Sequence, residues 1–229
     1  MLALLLALSQ TPAPVPDGSR LAEGEACYTL SMTRDGQSRA MGVTWQSLKR
    51  AERDGRPVLE VVVHQRMGTF DMRDTFTLDA STLRPLELVN SRNGKAHVTA
   101  TYGDRRITGQ RVEADGLHPV DVALPGPVWE GNLYGLTFAA LPLAERAEFT
   151  LPYWQYDKGL GQFTIKVTGS ETVATPDGPV EAWVLDAGAS PEQRLTYLIS
   201  KADHRELGYR AGPGSQTLGG DCSALSAGQ

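Results

Sequence analysis

Along most of this chain apolar and polar residues alternate. Tyr28, Leu30 and Met32 fall on one face of Glu25–Arg34, and Met41, Val43 and Trp45 alternate with polar neighbours across Ser38–Leu48. A spacing of two puts such residues on one side of an extended strand. Val58–Gln65 is rich in β-branched residues and reads as another strand. More are expected over Asp74–Leu78, Leu86–Ser91, Ala96–Tyr102 and Arg106–Val112, then over Phe149–Tyr153, Gln162–Thr168, Val180–Asp186, Arg194–Ser200 and Arg205–Ala211. Turn residues separate them at short intervals, among them Asp35-Gly36, Arg53–Pro57, Gly103-Asp104 and Thr175–Pro179. Asn93-Gly94 is the clearest hairpin signal. The pattern predicts an antiparallel meander.

One stretch breaks this rhythm. Within Val128–Pro152, Leu133, Leu136, Phe138, Ala139, Ala140 and Leu143 recur at helical intervals, with Gly131-Asn132 as a start. Pro142 stops the helix or limits it to about three turns. The expected fold is therefore mainly β (α+β), a strongly curved antiparallel sheet or incomplete barrel wrapped around this central helical segment. Two parts of the meander also look alike. Met41 aligns with Phe163, Pro57 with Pro179, Thr75–Leu78 with Thr196–Ile199, and Arg84-Pro85-Leu86 with Arg205-Glu206-Leu207. Two duplicated meander halves bridged by the helix are expected, with chance likeness between hairpins as the alternative.

Composition sets limits on this picture. With 229 residues and 41% hydrophobic content the chain can bury one sizeable core, so a single domain is expected over residues 25–222. A net charge of −5 and a pI near 5.4 argue against nucleic acid as a partner. The apolar run of residues 1–9 ends in Ala7-Leu8-Ser9 and resembles a secretory signal peptide without its charged start. It is too short for a stable transmembrane segment. Pro-rich residues 10–24 read as a flexible linker and residues 223–229 as a flexible tail, the chain being loosely held from Gly212 onward except near Cys222. Cys27 and Cys222 are the only cysteines, and in an exported chain they suggest a disulfide between the terminal segments. Two separate buried thiols are the alternative.

Several motifs carry a family likeness. They are Phe76-x-Leu78-Asp79-x-x-Thr82-Leu83-x-Pro85-Leu86, Leu141-Pro142-Leu143, Gly169-x-Glu171 and Gly178–Trp183. Over about Met41 to Tyr209 the chain resembles a β-rich family of exported bacterial proteins known as a domain of unknown function. That family is similar in fold to the periplasmic lipoprotein carriers LolA and LolB, whose curved sheet covers helices over an apolar cavity. The resemblance implies a LolA-like fold and a periplasmic, envelope or extracellular location. Its motifs mark turns and core positions, and none is catalytic.

The search for chemistry gives little. His64, His97, His118 and His204 are scattered, with no metal-binding interval between them. Asp203-His204 reads as a polar turn rather than a dyad. No serine elbow, reactive cysteine or phosphate loop is evident, so no catalytic, metal or cofactor residue is expected. The aromatics say more. Trp45, Trp129, Leu133, Tyr134, Leu136, Phe138, Tyr153, Trp154, Trp183 and Tyr197 are candidate walls of an apolar cavity, against the plainer reading that they fill a core. Tyr153–Gly161 is a candidate rim loop. The expected function is a non-enzymatic exported binding or carrier protein for a lipid or acyl-chain ligand, with an envelope protein as a further candidate partner that the sequence does not identify. The alternatives are an envelope scaffold with a filled core and, third, an envelope hydrolase.

Overall fold

The computed structural model describes residues 15–226. The expected signal segment, residues 1–9, lies outside them. Fifteen strands follow in order: β1 (Gly24–Arg34), β2 (Gln37–Arg53), β3 (Arg56–Met67), β4 (Phe70–Asp79), β5 (Pro85–Arg92), β6 (Lys95–Tyr102), β7 (Arg106–Glu113), β8 (Gly116–Ala123), β9 (Trp129–Glu130), β10 (Glu148–Gln155), β11 (Gly159–Thr175), β12 (Gly178–Gly188), β13 (Arg194–Ser200), β14 (Glu206–Ala211) and β15 (Gly214–Leu218). Two short α-helices, α1 (Tyr134–Ala139) and α2 (Ser223–Ser226), and a 3-10 turn at Gly18–Arg20 complete the set among the described residues.

Local turn chemistry explains the hairpins. Asp35-Gly36, Asp54-Gly55 and Asn93-Gly94 all place both residues at positive φ, between +50° and +76°. That backbone matches the twist of the strands it joins, and Gly with Asn or Asp adopts it at least cost. All the strands form one sheet, in the order β8-β7-β6-β5-β4-β3-β2-β1-β15-β14-β13-β12-β11-β10-β9. Every pairing is antiparallel except β9 with β10. The two meanders therefore meet where β1 pairs with β15, at Thr29–Met32 against Gly214–Thr217.

The sheet is open but strongly bent. Tyr102 on β6 and Trp154 on β10 lie eleven places apart in the strand order. On a flat sheet that is roughly 50 Å, at about 4.8 Å per strand. Their rings are 5.6 Å apart. The two ends of the sheet therefore curl round and touch through side chains, without backbone closure. Trp129 Nε1 donates to Thr82 O at 3.0 Å, Asn90 Nδ2 donates to Tyr156 OH at 3.2 Å, and Arg92 pairs with Asp157 at 2.7 Å across the same seam. The inner face and α1 share one buried core that includes Leu59, Phe76, Leu88, Phe138, Ile165 and Tyr197.

The duplicated halves are visible in the backbone. Adding 122 to the bounds of β2 (37–53) gives those of β11 (159–175). With a shift of 121, Leu83 meets His204, and both have positive φ, 56° and 55°. The same shift aligns the bulge at Leu86, between the Thr77–Glu87 and Leu78–Pro85 pairs, with the bulge at Leu207. Asp79 N donates to Arg84 O at 2.9 Å, and Ser200 N donates to Arg205 O at 2.8 Å. Unrelated hairpins would not share a bulge, a left-handed residue and a closing bond in register.

Other expectations are corrected. The helix has six residues, fewer than two turns, instead of the expected three. Trp129–Glu130 pairs with Tyr153–Trp154, and Leu133 at φ −119°, ψ 48° is not helical, so the apolar run before Tyr134 is a strand and a turn. The linker is anchored at its end: Asp17 N donates to Ala140 O at 2.9 Å, Gly18 N donates to Ser81 O at 2.8 Å, and Leu21 is buried. The region after Gly212 holds β15, which is bonded on both sides, and Leu225 of α2 is buried. β8 carries Pro119 at the sheet's edge, where the missing amide hydrogen is tolerated.

Candidate ligand-binding cavity

Helix α1 lies against β13, β14 and β9, and three cavities surround it. The largest, about 340 Å³, is walled by strands of both halves and by Asn132–Leu136. A second, about 220 Å³, is bounded by Tyr134, Phe138, Tyr153, Phe163 and Tyr197 and shares Tyr134, Leu195 and Tyr197 with the first. Its rings are closely stacked: Tyr153 lies 4.1 Å from Phe163, and Phe163 lies 4.5 Å edge-on from Tyr134. The third, about 210 Å³, shares Gln46, Leu136 and Glu206 with the first.

The carboxyl groups give this region its chemistry. Glu206 sits on β14 beside α1, buried, and its Oε1 accepts from Gln216 Nε2 at 3.3 Å. Gly135 makes room for it, since a Cβ there would lie 1.9 Å from Glu206 Oε2. Burial pushes the Glu206 carboxyl up to about 7, against a partial pull down from Gln216. Asp74 lines the same cavity and accepts from Asn90 Nδ2 at 2.6 Å and Tyr156 OH at 3.5 Å. Burial raises it to about 6. A third carboxyl, Glu130, lies in the seam, where it accepts from Tyr102 OH and from Asn132 N and Nδ2. Burial pushes it up to about 8. All three are taken out of water and served by neutral donors, with no cation in direct contact among the described residues.

Six of the ten expected wall residues come together here. Leu133, Tyr134, Leu136, Phe138, Tyr153 and Tyr197 line one or more of the three cavities. Trp154 lines a shallower groove beside β7 and β8. The other three do not reach the site. Trp45 points to the outer face, because Thr44 and Gln46 on either side of it face α1. There it is buried against Cys27, Cys222 and Leu225, and its Nε1 donates to Glu25 Oε2 at 3.1 Å. Trp129 is committed to the seam, and Trp183 lies under the Lys201 ammonium at 4.2 Å. The Cys27–Cys222 disulfide is present, with Cα atoms 5.8 Å apart. Of the expected rim loop, Tyr153, Gln155 and Lys158 line the aromatic cavity.

Residues 27–212 match the model of DUF3108, described as a protein of unknown function. The chain belongs to the DUF3108 family. No curated protein and no solved structure matches it. Within this DUF3108 protein the matched span takes in α1, Asp74 and Glu206, while β15 and Cys222 lie beyond it.

Asp74, Glu206 and the amides Gln46, Gln65 and Gln216 were not among the expected site residues of the DUF3108 chain. A signal existed for some. Asp74 is in phase with Phe76 and Leu78, and Gln46 with Leu48, so each is a polar residue at a core-facing position of its strand. Glu206 had none, because the bulge at Leu207 breaks the alternation there. Asp203 and His204 do not bond each other: Asp203 accepts from Arg205 N at 3.3 Å, and His204 Nδ1 lies 3.0 Å from Ala139 O. Among the described residues one trio, Glu113, Asp115 and His118, has metal-ligand proximity, but it is a surface turn with His118 Nε2 bonded to Asp115 Oδ1 at 2.8 Å.

Proposed function

We propose that this DUF3108 protein is an exported, non-enzymatic binding or carrier protein of the cell envelope, with an acyl or similar apolar chain as the ligand part it encloses. One observation carries the reading. The aromatic cavity beside α1 adjoins the roomier polar one through shared residues Tyr134, Leu195 and Tyr197. The roomier one, about 340 Å³, is of the size small-molecule sites take. A scaffold would have no use for such space, since protein interiors otherwise pack densely. An apolar chain placed against Phe138, Tyr153 and Phe163 would leave its head among the polar groups of the larger cavity.

Export is supported by the disulfide joining the chain's only two cysteines, a bond that persists in oxidising compartments. The apolar opening run and the LolA-like resemblance agree with it. Among the described residues no helix is long and apolar enough to cross a membrane. Displacement of a fluorescent fatty acid tests the reading, alongside native mass spectrometry of the protein as purified. Saturable binding that is lost in Phe163→Asp is the expected result. No displacement and no co-purified lipid would favour the scaffold.

A further inference from the structure

The wall of the larger cavity is unusual in its balance of polar groups. Its one cationic side chain, Arg92, is engaged with Asp157 at 2.7 Å, while Asp74 and Glu206 face the same space. An anionic head would meet more carboxyl than guanidinium groups there, so phosphate- and carboxylate-bearing ligands are disfavoured. A cationic head is disfavoured for a different reason. Asp74 is already held by the neutral donors Asn90 and Tyr156, and Glu206 by Gln216. Each keeps its other oxygen, Asp74 Oδ2 and Glu206 Oε2, outside those bonds, but burial works against the charge on both carboxyls that a cation would need.

Besides the buried Arg92 Nε, the groups left over include neutral donors and acceptors. The Gln46 amide and the hydroxyls of Tyr197 and Tyr209 make no hydrogen bond to the protein among the described residues. They come from β2, β13 and β14, so they face the cavity from both halves. Tyr197 and Tyr209, with ring centroids 5.5 Å apart, also present aromatic faces. Amides and hydroxyls that can both give and accept, set beside aromatic faces, complement a molecule whose hydroxyls alternate around an apolar ring.

We infer that the larger cavity binds a neutral polyhydroxylated group, a sugar carried either as the head of a glycolipid or as a free saccharide. The inference rests on the binding reading above for the lipid-borne case. Calorimetric titration with octyl glucoside, octyl phosphate, octyltrimethylammonium and free maltose, each below its micelle concentration, separates the cases. Octyl glucoside is expected to bind at least tenfold tighter than the two charged octyl ligands. Gln46→Leu combined with Tyr209→Phe should cut the preference for octyl glucoside over the two charged octyl ligands about tenfold, with thermal melts reporting intact fold. Tyr197→Phe serves as the second variant if the first pair fails to fold.

The outcomes divide cleanly. Equal binding of all three octyl ligands overturns the sugar inference and leaves the carrier reading intact. Tightest binding of octyltrimethylammonium or octyl phosphate overturns it in favour of a charged head. Binding of maltose with no gain from the octyl chain keeps the sugar inference and removes the lipid carrier. No binding by any probe removes both.

Discussion

Between β4 and β5 the chain turns through Leu83 at φ 56° and bulges at Leu86; between β13 and β14 it turns through His204 at φ 55° and bulges at Leu207. The backbone is the same, but the side chains are not. The first turn has Leu83 fully buried and Pro85 entering the strand, so it only seals the core. The second has His204 and Glu206 at those positions, and Glu206 projects between two cavities beside Gly135. One repeat has stayed structural while the other has put a carboxyl where Pro85 stands in its twin. The site thus lies where the halves differ, on a scaffold set by what they share.

The largest effect concerns the junction that makes the halves one sheet. Cys27 leads into the first half and Cys222 follows the last strand of the second, a separation of 195 residues. On the chain-entropy model closing so long a loop stabilises by about 5 kcal/mol. Cys27→Ser with Cys222→Ser should lower urea stability by up to that amount. Because β1 and β15 stay hydrogen-bonded, unfolding should remain a single transition. Two resolved transitions would mean the repeats are separate folding units, and the comparison would then be between domains rather than parts of one sheet.

Next comes the carboxyl itself. Glu206 keeps its proton to about pH 7 in the folded chain but releases it near 4.5 when unfolded. Between those values the folded state binds more protons at this site, so its contribution to stability is fullest below pH 4.5 and falls as pH rises through the window. The contribution is on the order of 3 kcal/mol. Pro85, the counterpart in the other half, contributes nothing of this kind. Chemical denaturation of Glu206→Gln from pH 4.5 to 7 should therefore give a flatter profile than the natural chain. Asp74 and Glu130, raised to about 6 and 8, leave a residual slope of the same sign. Identical slopes would show that Glu206 is solvated and not part of a desolvated site.

How far this was legible in the sequence follows from the same physics. Strands and hairpins were readable because alternation and Asp-Gly or Asn-Gly turns are local signals, and the repeat was readable because both halves retain them. The helix was overestimated because Trp129 and Glu130 find a strand partner in β10, a contact no local pattern announces. β15 was missed because Gly214–Leu218 has little strand character and is held by neighbours on both sides. The aromatic part of the site was read from its residue types. Its polar part was not, because whether Glu206 faces water or α1 depends on a bulge that shifts the phase by one residue.

The smallest effect separates the two turns at their first residue. Asp79 Oδ1 accepts from Ser81 N and Oγ at 3.1 and 2.7 Å and from Thr82 N and Oγ1 at 2.9 and 2.7 Å. Its counterpart Ser200 offers Oγ to Ala202 N and Asp203 N at only 3.3 and 3.4 Å. Asp79→Ala should cost about 2 kcal/mol and Ser200→Ala less than about 1 kcal/mol, by urea denaturation at neutral pH. Burial opposes ionisation of Asp79, yet the donors of Ser81 and Thr82 prevail and hold its carboxyl below the usual 3.8. Its contribution is therefore complete above that value and fades as pH falls through the lower folded one, which is the reverse of Glu206. In acid the penalty of Asp79→Ala should shrink towards that of Ser200→Ala. A penalty that stayed constant with pH would mean that the two turns are held alike, by backbone geometry rather than by the charge that only one of them carries.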